Sequence, residues 1–153
     1  VGFIFYIKKN KQNKKKMKEE EDLCFHELME PMPMYVLIHK THPLAEMKGI
    51  KAANLGDYPY VTYNDSGARR FLDVMGIQEH PELLEVSDRG SFYDALRSGE
   101  YLTTMAFRNP PKDQDYLLLP FEDCNLIMCS AYVTARNYRL SKREKDFIEF
   151  VRS

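Results

Sequence analysis

Two stretches of this 153-residue chain carry the same order of signals. Each has a short apolar run, then helix-capping residues, then a helical segment, and then a glycine that ends the helix. Strands that alternate with helices at this spacing indicate an α/β sandwich. The first stretch consists of a strand at 60–63, a capping loop at 64–67, a helix at 68–75 and Gly76; the second consists of a strand at 83–86, a Ser87-Asp88 cap, a helix at about 90–98 and Gly99.

The other predicted elements follow from apolar runs and from prolines at their boundaries. The unbroken run at 1–7 predicts a strand buried on both faces, and Ser141 is expected to cap the last helix. The remaining elements are a helix at 10–22, strands at 34–39, 101–105, 116–119 and 125–134, a helical turn around 50–55, and a helix at 142–152 with Phe147, Ile148 and Val151 on its apolar face.

Charge and cysteine content exclude several classes of protein. Lys plus Arg number 22 and Asp plus Glu number 23, so the chain lacks the excess positive charge that attracts nucleic acid. The seven lysines within 8–18 are followed directly by acids and are interpreted as a solvated face. Three cysteines without zinc-ligand spacing favour a reducing cytosol over a disulfide scaffold.

The start of the chain predicts neither a membrane span nor a signal peptide. The apolar run at 1–7 is far shorter than the roughly 20 residues that cross a bilayer, and its lysines follow the run instead of preceding it. We expect no membrane association. Because the chain begins with Val, it is interpreted as part of a longer protein.

One polar cluster is a candidate binding site. Asn64, Asp65, Ser66 and Gly67 lie between a predicted strand and a predicted helix, where unpaired backbone N–H groups can hold a carboxylate or phosphate. Arg69 or Arg70 would add positive charge. The same four residues are also explained by an ordinary N-cap without a ligand. The Asp65 carboxylate would repel an anion, so it either points outward or meets an amino group on the ligand.

Several segments together resemble the effector-binding domain of LysR-type transcriptional regulators. Two of them are PMYVLIHKTHPLA (33–45) and DYPYVTYNDSG (57–67). Three more are EVSDRGSFYDALRSGEYLTTM (85–105), Leu118–Pro120 with the apolar strand after it, and LSKREKDFIEFVRS (140–153). The chain departs from the family at Glu100, where many members have a second glycine after Gly99.

The resemblance implies an α/β fold of the type 2 periplasmic-binding-protein kind, with two lobes. The first lobe would be incomplete and contain about 1–30 and 127–153, and the second would contain about 31–126. The chain would be an N-terminally truncated fragment that lacks the winged helix-turn-helix. The effector would lie between the lobes, with Phe5, Tyr63 and Met128 beside the capping loop. Aromatic and Met residues in strands are more often part of the core than of a binding site.

The function expected from the resemblance is ligand sensing for a bacterial transcription regulator. A small polar effector would change how a cytoplasmic homodimer or tetramer presents a DNA-binding domain that is missing from this sequence. A solute-binding protein of a transporter, which shares the fold, is the alternative.

Neither an enzyme nor a cofactor is predicted, because nucleophile-elbow, P-loop, dinucleotide and zinc-protease motifs are all missing from the sequence. His39 and His42 lack further metal ligands nearby and are interpreted as structural. A thiol switch between Cys124 and Cys129 is disfavoured, since an apolar strand raises the pKa of a buried thiol.

Overall fold

A computed structural model of the protein describes residues 1–9, 22–77 and 80–153. The predicted α/β class is confirmed, because strands alternate with helices along these residues. The strands are β1 Gly2–Lys9, β2 Leu23–His39, β3 Tyr60–Tyr63, β4 Leu83–Val86, β5 Leu102–Ala106, β6 Tyr116–Pro120 and β7 Leu126–Ala135; the helices are a 3₁₀ helix at Pro43–Glu46, α1 Ala52–Leu55, α2 Ser66–Met75, α3 Arg89–Arg97 and α4 Lys142–Arg152.

The chain divides into two compact units. The discontinuous unit consists of Val1–Met32 and Ile127–Ser153, and the continuous unit consists of Pro33–Leu126. Strand β2 contributes its first part to the discontinuous unit and its second part to the continuous unit. Across the residues that the structure describes, no helix is both long and apolar enough to span a bilayer.

The sheet of the continuous unit aligns the ends of two parallel strands. The second part of β2 lies between β5 and β6 and is antiparallel to both. Strand β3 lies between β5 and β4 and is parallel to both. Tyr60 pairs with Leu83 and Tyr63 pairs with Val86, so β3 and β4 start and finish at the same level. The helices that follow these strands therefore begin at one edge of the sheet.

The core of the continuous unit joins this sheet to α3. Phe92 and Leu96 are four residues apart on α3, which places them on one face of the helix. Both are buried with Leu37, Val61 and Val86 in a single cluster. Packing of this kind fixes α3, and hence its first turn, relative to the strand ends.

In the discontinuous unit, β7 lies between β1 and the first part of β2. Helix α4 begins with a capping box in which the Ser141 hydroxyl accepts from the Glu144 N–H and the Glu144 carboxylate accepts from the Ser141 N–H. Ile148 is the buried residue of this helix, and the Phe147 ring meets the Phe3 ring edge-on at 5.5 Å between centroids. The predicted Ser141 cap and the bounds of this helix are confirmed.

The prediction that 1–7 is buried on both faces is wrong. The strand forms, but Phe5 is 63% exposed and Phe3 is 45% exposed. Phe3 and Phe5 lie on the same face of the strand, and within the described residues that face is covered only in part, by contacts such as that of Phe3 with Phe147. Phe147, predicted on the apolar face of the last helix, is likewise 49% exposed.

Other differences concern boundaries. Strand β2 begins at Leu23, eleven residues before the predicted start at Met34, and α2 begins at Ser66 instead of residue 68. Gly76 and Gly99 have φ of 72° and 79°, as expected for glycines that end helices. Most of the helix predicted at 10–22 lies outside the described residues, and Asp22 is in a turn.

Candidate functional site

The candidate site is built where β3 and β4 end. These parallel strands finish side by side, and the N–H of Asn64 donates to the carbonyl of Val86 at 2.8 Å, which extends the pairing by one residue. Each strand then passes directly into a helix. In open α/β sheets, ligands bind beyond the carboxyl ends of parallel strands, where helix N-termini supply N–H donors.

Asp65 is the N-cap of α2. Its Oδ1 accepts from the Ala68 N–H at 2.7 Å, and its carbonyl accepts from the Arg69 N–H at 3.0 Å. Of the first N–H groups of the helix, the cap therefore leaves those of Ser66 and Gly67, which no hydrogen bond engages within the described part of the chain. The carboxylate is turned onto its own helix, where it compensates the helix dipole.

Arg69 connects the first loop to the neighbouring strand. Its Nη2 donates to Oδ1 of Asn64 at 2.7 Å, and its Nε lies 3.4 Å from Oε1 of Glu85. Because these side chains are largely exposed, the ion pair contributes little to stability. The hydrogen bond from Arg69 orients the Asn64 amide. The ion pair with Glu85 partly neutralises the Arg69 guanidinium, which the sequence suggested as an anion partner. The Arg70 side chain lies outside the described part of the structure.

The second loop repeats the design of the first. Asp88 caps α3 by accepting from the N–H of Ser91 at 2.9 Å and from its hydroxyl at 2.7 Å. These hydrogen bonds to Ser91 hold the pKa of the Asp88 carboxyl below its usual value. The guanidinium of Arg89, the first residue of α3, lies over the Tyr93 ring at 5.4 Å.

Sequence reasoning identified Ser87 and Asp88 as a cap but did not place this second loop in the site. The missing signal was the register of β3 with β4, since only that pairing brings the two helix starts to the same sheet edge. Two neighbouring strands, each followed by Ser or Asn and then Asp, could have indicated it.

Aromatic rings form the floor beneath the two loops. The Tyr63 ring stacks on Phe92 at 4.6 Å with 8° between planes, and Phe92 meets Tyr93 edge-on at 5.5 Å. Tyr63 is half-buried, and burial is the main reason that its pKa is raised; the charges of Tyr93 and Asp88 act in the same direction, and Arg89 opposes them. The stacking on Phe92 holds the Tyr63 ring in place.

The predicted site residues fall into two groups. Tyr63, Asn64, Asp65, Ser66 and Gly67 are consecutive at the end of β3 and the start of α2, in the continuous unit. Phe5 lies on β1 and Met128 on β7, both in the discontinuous unit. Phe5 is exposed and Met128 is half-buried. Both assignments stay predictions.

The two histidines singled out in the sequence bond to residues two positions further along the chain. Nδ1 of His42 accepts from the Leu44 N–H at 3.1 Å, and Nδ1 of His39 lies 2.8 Å from the Thr41 hydroxyl. Among the described residues, no three His, Cys, Asp or Glu side chains are grouped to hold a metal ion. Within the described residues, none of the three cysteines forms a disulfide, and burial raises the pKa of Cys124.

Comparison with known proteins finds one family. The sequence profile of the LysR substrate binding domain matches residues 13–153. No curated protein matches the chain at a significant level.

Solved structures share the fold at low sequence identity. The effector binding domain of QuiR in complex with shikimate is 19% identical with a TM-score of 0.62, over 88% of this chain and 66% of that chain. HinK, a LysR family regulator from Pseudomonas aeruginosa, is 11% identical with a TM-score of 0.64, over 89% of this chain and 49% of that chain. The CcmR regulatory domain from Synechocystis PCC6803 in complex with 2-PG is 17% identical with a TM-score of 0.60, over 96% and 71%.

This chain thus spans 49% to 71% of the length of these three structures.

Proposed function

Because this chain belongs to the family of LysR substrate-binding domains, we propose that it binds a small polar effector with an anionic group where β3 and β4 end. It has the type 2 periplasmic-binding-protein-like α/β fold of that family. The observation that carries the proposal is the pair of Asp-capped helices that start side by side, with the N–H groups of Ser66 and Gly67 left for another acceptor.

The chemistry of the two loops suits a carboxylate or phosphate. An anion at the start of α2 would accept from the N–H groups of Ser66 and Gly67 and from the Ser66 hydroxyl. The carboxylates of Asp65 and Asp88 are engaged as caps, so they do not require an amino group on the effector. Arg89 supplies the positive charge, because Arg69 already faces Glu85.

One of the similar proteins supports an inference about the chemical class of the effector. The QuiR domain is in complex with shikimate, a hydroxylated carboxylate. We infer the same broad class for this chain: a small, polar organic anion. Phe5 and Met128 remain candidate pocket residues on sequence grounds alone.

In the full regulator, we infer that effector binding shifts a conformational equilibrium and thereby changes how a homodimer or tetramer contacts DNA. DNA contact would come from a winged helix-turn-helix outside this sequence, and the site of action would be the cytoplasm. The role is regulatory rather than catalytic, and it requires neither a cofactor nor a metal. The family match favours a regulator over the solute-binding protein considered as the alternative.

A thermal-shift screen of this chain tests the proposal. The panel contains carboxylates, amino acids, nucleotides and sugar phosphates, each at matched ionic strength. A ligand that binds only the folded state adds about 2.7 kcal/mol of stability at a hundredfold excess over its dissociation constant. We expect at least one carboxylate or phosphate compound to raise the melting temperature.

The variant Ser66→Ala tests whether the ligand binds at the start of α2. It removes one hydrogen bond to a charged group, and this loss is expected to weaken binding roughly tenfold. Ser153→Ala is the control, since it removes a hydroxyl that donates to the carbonyl of Phe150 in the discontinuous unit. A screen without any shift, or a Ser66→Ala variant that binds as tightly as the parent chain, would contradict the proposal.

A further inference from the structure

A solvent-open cavity of about 380 Å³ is lined by residues of the discontinuous unit, several of them exposed, and none of them belongs to the candidate site. Its volume is in the range of small-molecule sites. It is bounded by the first part of β2, by β7, by the loop after β7 and by α4. The lining residues are His26, Tyr132, Thr134, Tyr138, Arg139, Leu140 and Lys145; we call this the basic cavity.

The charge of the basic cavity is one-sided. Arg139 and Lys145 line it, whereas no Asp or Glu is among its described lining residues. Neither cation forms a salt bridge with another residue in the described ranges. Five cations and one acid occupy the ten residues RNYRLSKREK (136–145), and Asp146 follows, so this segment carries an excess of positive charge.

The one acid of this segment is engaged by the helix cap and by Tyr138, which lines the cavity. The carboxylate of Glu144 accepts from the N–H of Ser141 at 2.7 Å, from its hydroxyl at 2.8 Å and from the Tyr138 hydroxyl at 2.7 Å. Donation from Tyr138, and then from Ser141, keeps the pKa of Glu144 below its usual value, so it stays ionised within the cap. Glu144 therefore does not neutralise Arg139 or Lys145 directly.

The opposite wall of the basic cavity is fixed by ring stacking. The His26 ring lies on the Tyr132 ring at 4.6 Å with 17° between planes. The Thr134 hydroxyl is 3.5 Å from Nε2 of His26, and the Arg152 guanidinium lies 5.9 Å from the Tyr132 ring centre. Arg152 is itself anchored, because its Nε donates to the carbonyl of Leu28 at 3.1 Å. The wall is preorganised and offers a hydroxyl beside flat rings.

We propose that the basic cavity binds the phosphate group of a small phosphorylated molecule. Arg139 and Lys145 hold the phosphate, and Thr134 provides a neutral hydroxyl. A phosphate monoester carries close to two negative charges near neutral pH, whereas a carboxylate carries one. Two cations without a salt-bridge partner in the described residues therefore match a phosphate better than a single carboxylate. The planar guanidinium also donates two parallel hydrogen bonds to phosphate oxygens. This inference uses no residue of the candidate effector site and does not depend on the proposed function.

Titration calorimetry of the chain with inorganic phosphate and with glycerol 3-phosphate, at constant ionic strength, tests the site. The variant Arg139→Gln/Lys145→Gln removes both cavity charges and keeps side chains of similar length. The control Lys142→Gln/Arg143→Gln removes the same charge from the same segment, at positions that do not line the cavity. We expect the cavity variant to weaken binding by at least roughly tenfold, because it removes charge-assisted hydrogen bonds, and the control to leave it nearly unchanged.

The two ligands distinguish the sources of the phosphate. Tighter binding of glycerol 3-phosphate supports an organic phosphate with its carbon part inside the cavity, and equal binding supports recognition of the phosphate group alone. Failure of both ligands to bind the chain overturns the proposal. Equal weakening by both double variants also overturns it, because binding would then follow total charge rather than the cavity. The Ser66→Ala variant, which tests the other site, should bind phosphate here like the parent chain.

Discussion

The strands of the continuous unit bury their apolar side chains completely at several positions, whereas β1 and α4 of the discontinuous unit leave four phenylalanines largely exposed. Val36, Ile38 and Val61 have no exposed surface. The exposed phenylalanines are Phe3, Phe5, Phe147 and Phe150, and the last of them is 76% exposed. Both regions are apolar in sequence, so composition does not account for the difference.

The surroundings of the two sets of side chains differ. The second part of β2 and strand β3 each have a neighbour on both sides, and α3 packs against β3. Among the strands that the structure describes, β1 has only β7 beside it. An edge strand with aromatic side chains gains less from burial, and large exposed apolar patches are uncommon in monomeric proteins. The stability of the chain should therefore depend mainly on the continuous unit.

The largest expected effect comes from Leu96→Ala. Leu96 is completely buried in the cluster that joins α3 to the sheet. Truncation of a buried leucine costs about 2–5 kcal/mol of unfolding free energy, because apolar surface is lost and a cavity remains. Equilibrium unfolding in urea measures the change.

Phe150→Ala is the matched test of the other side of the comparison. Although it removes a larger side chain, we expect a change within about 0.5 kcal/mol, since Phe150 is mostly exposed and loses few contacts. A loss similar to that of Leu96→Ala would show that the exposed face of α4 contributes to stability, and the comparison between the units would then fail.

Two glycines that end helices of the continuous unit differ in how closely other residues pack around them. Gly76 and Gly99 both have positive φ, but a Cβ at Gly76 would meet open space, whereas a Cβ at Gly99 would collide with the Thr41 hydroxyl. That hydroxyl is bonded to Nδ1 of His39 at 2.8 Å. We expect Gly76→Ala to cost about 1 kcal/mol from backbone strain alone, and Gly99→Ala to cost about 2–3 kcal/mol. Urea unfolding of the two variants, side by side, checks the order; equal losses would mean that Thr41 moves aside freely.

Much of the continuous unit is predictable from sequence. The bounds of β3 and β4 are confirmed because each is a short apolar run enclosed by turn residues, and the caps within 64–67 and at Asp88 follow from local hydrogen-bond chemistry. In the discontinuous unit, the cap at Ser141 follows in the same way. The family match confirms the LysR resemblance. The resemblance was recognisable in the sequence because it depends on the order of many segments rather than on one motif.

Two kinds of feature were not predictable from local patterns. The early start of β2 is hidden by Glu27, Glu30 and Pro31, which interrupt any apolar period but are tolerated where the strand is exposed. The contribution of Arg89 to the candidate site, and the exposure of Phe5, depend on which strands are neighbours. Strand order is a long-range property, and a single sequence without homologues does not determine it.

His42 extends the comparison to polar groups, because the continuous unit also buries an imidazole. It caps the 3₁₀ helix at Pro43–Glu46 by accepting from the Leu44 N–H through Nδ1, so the neutral ring carries its hydrogen on Nε2. That Nε2 is buried and engages no hydrogen bond within the described residues. Burial lowers the pKa of His42, and the nearby backbone of Glu100 opposes this only in part.

The most specific expected effect is a loss of stability on mild acidification that His42→Asn removes. The unfolded chain takes up a proton at His42 near pH 6.5, whereas the folded chain does so only at lower pH. Stability is therefore fully present above about pH 6.5 and falls as the pH drops towards the folded pKa.

Asparagine keeps a side-chain acceptor for the cap and does not titrate. Urea midpoints between pH 5 and 8 should decline on acidification more steeply for the parent chain than for His42→Asn; carboxylates such as Asp88 titrate below this range. Parallel pH profiles for the two proteins would show that the interior around His42 admits the charged ring, and that the continuous unit is less closed than its apolar core indicates.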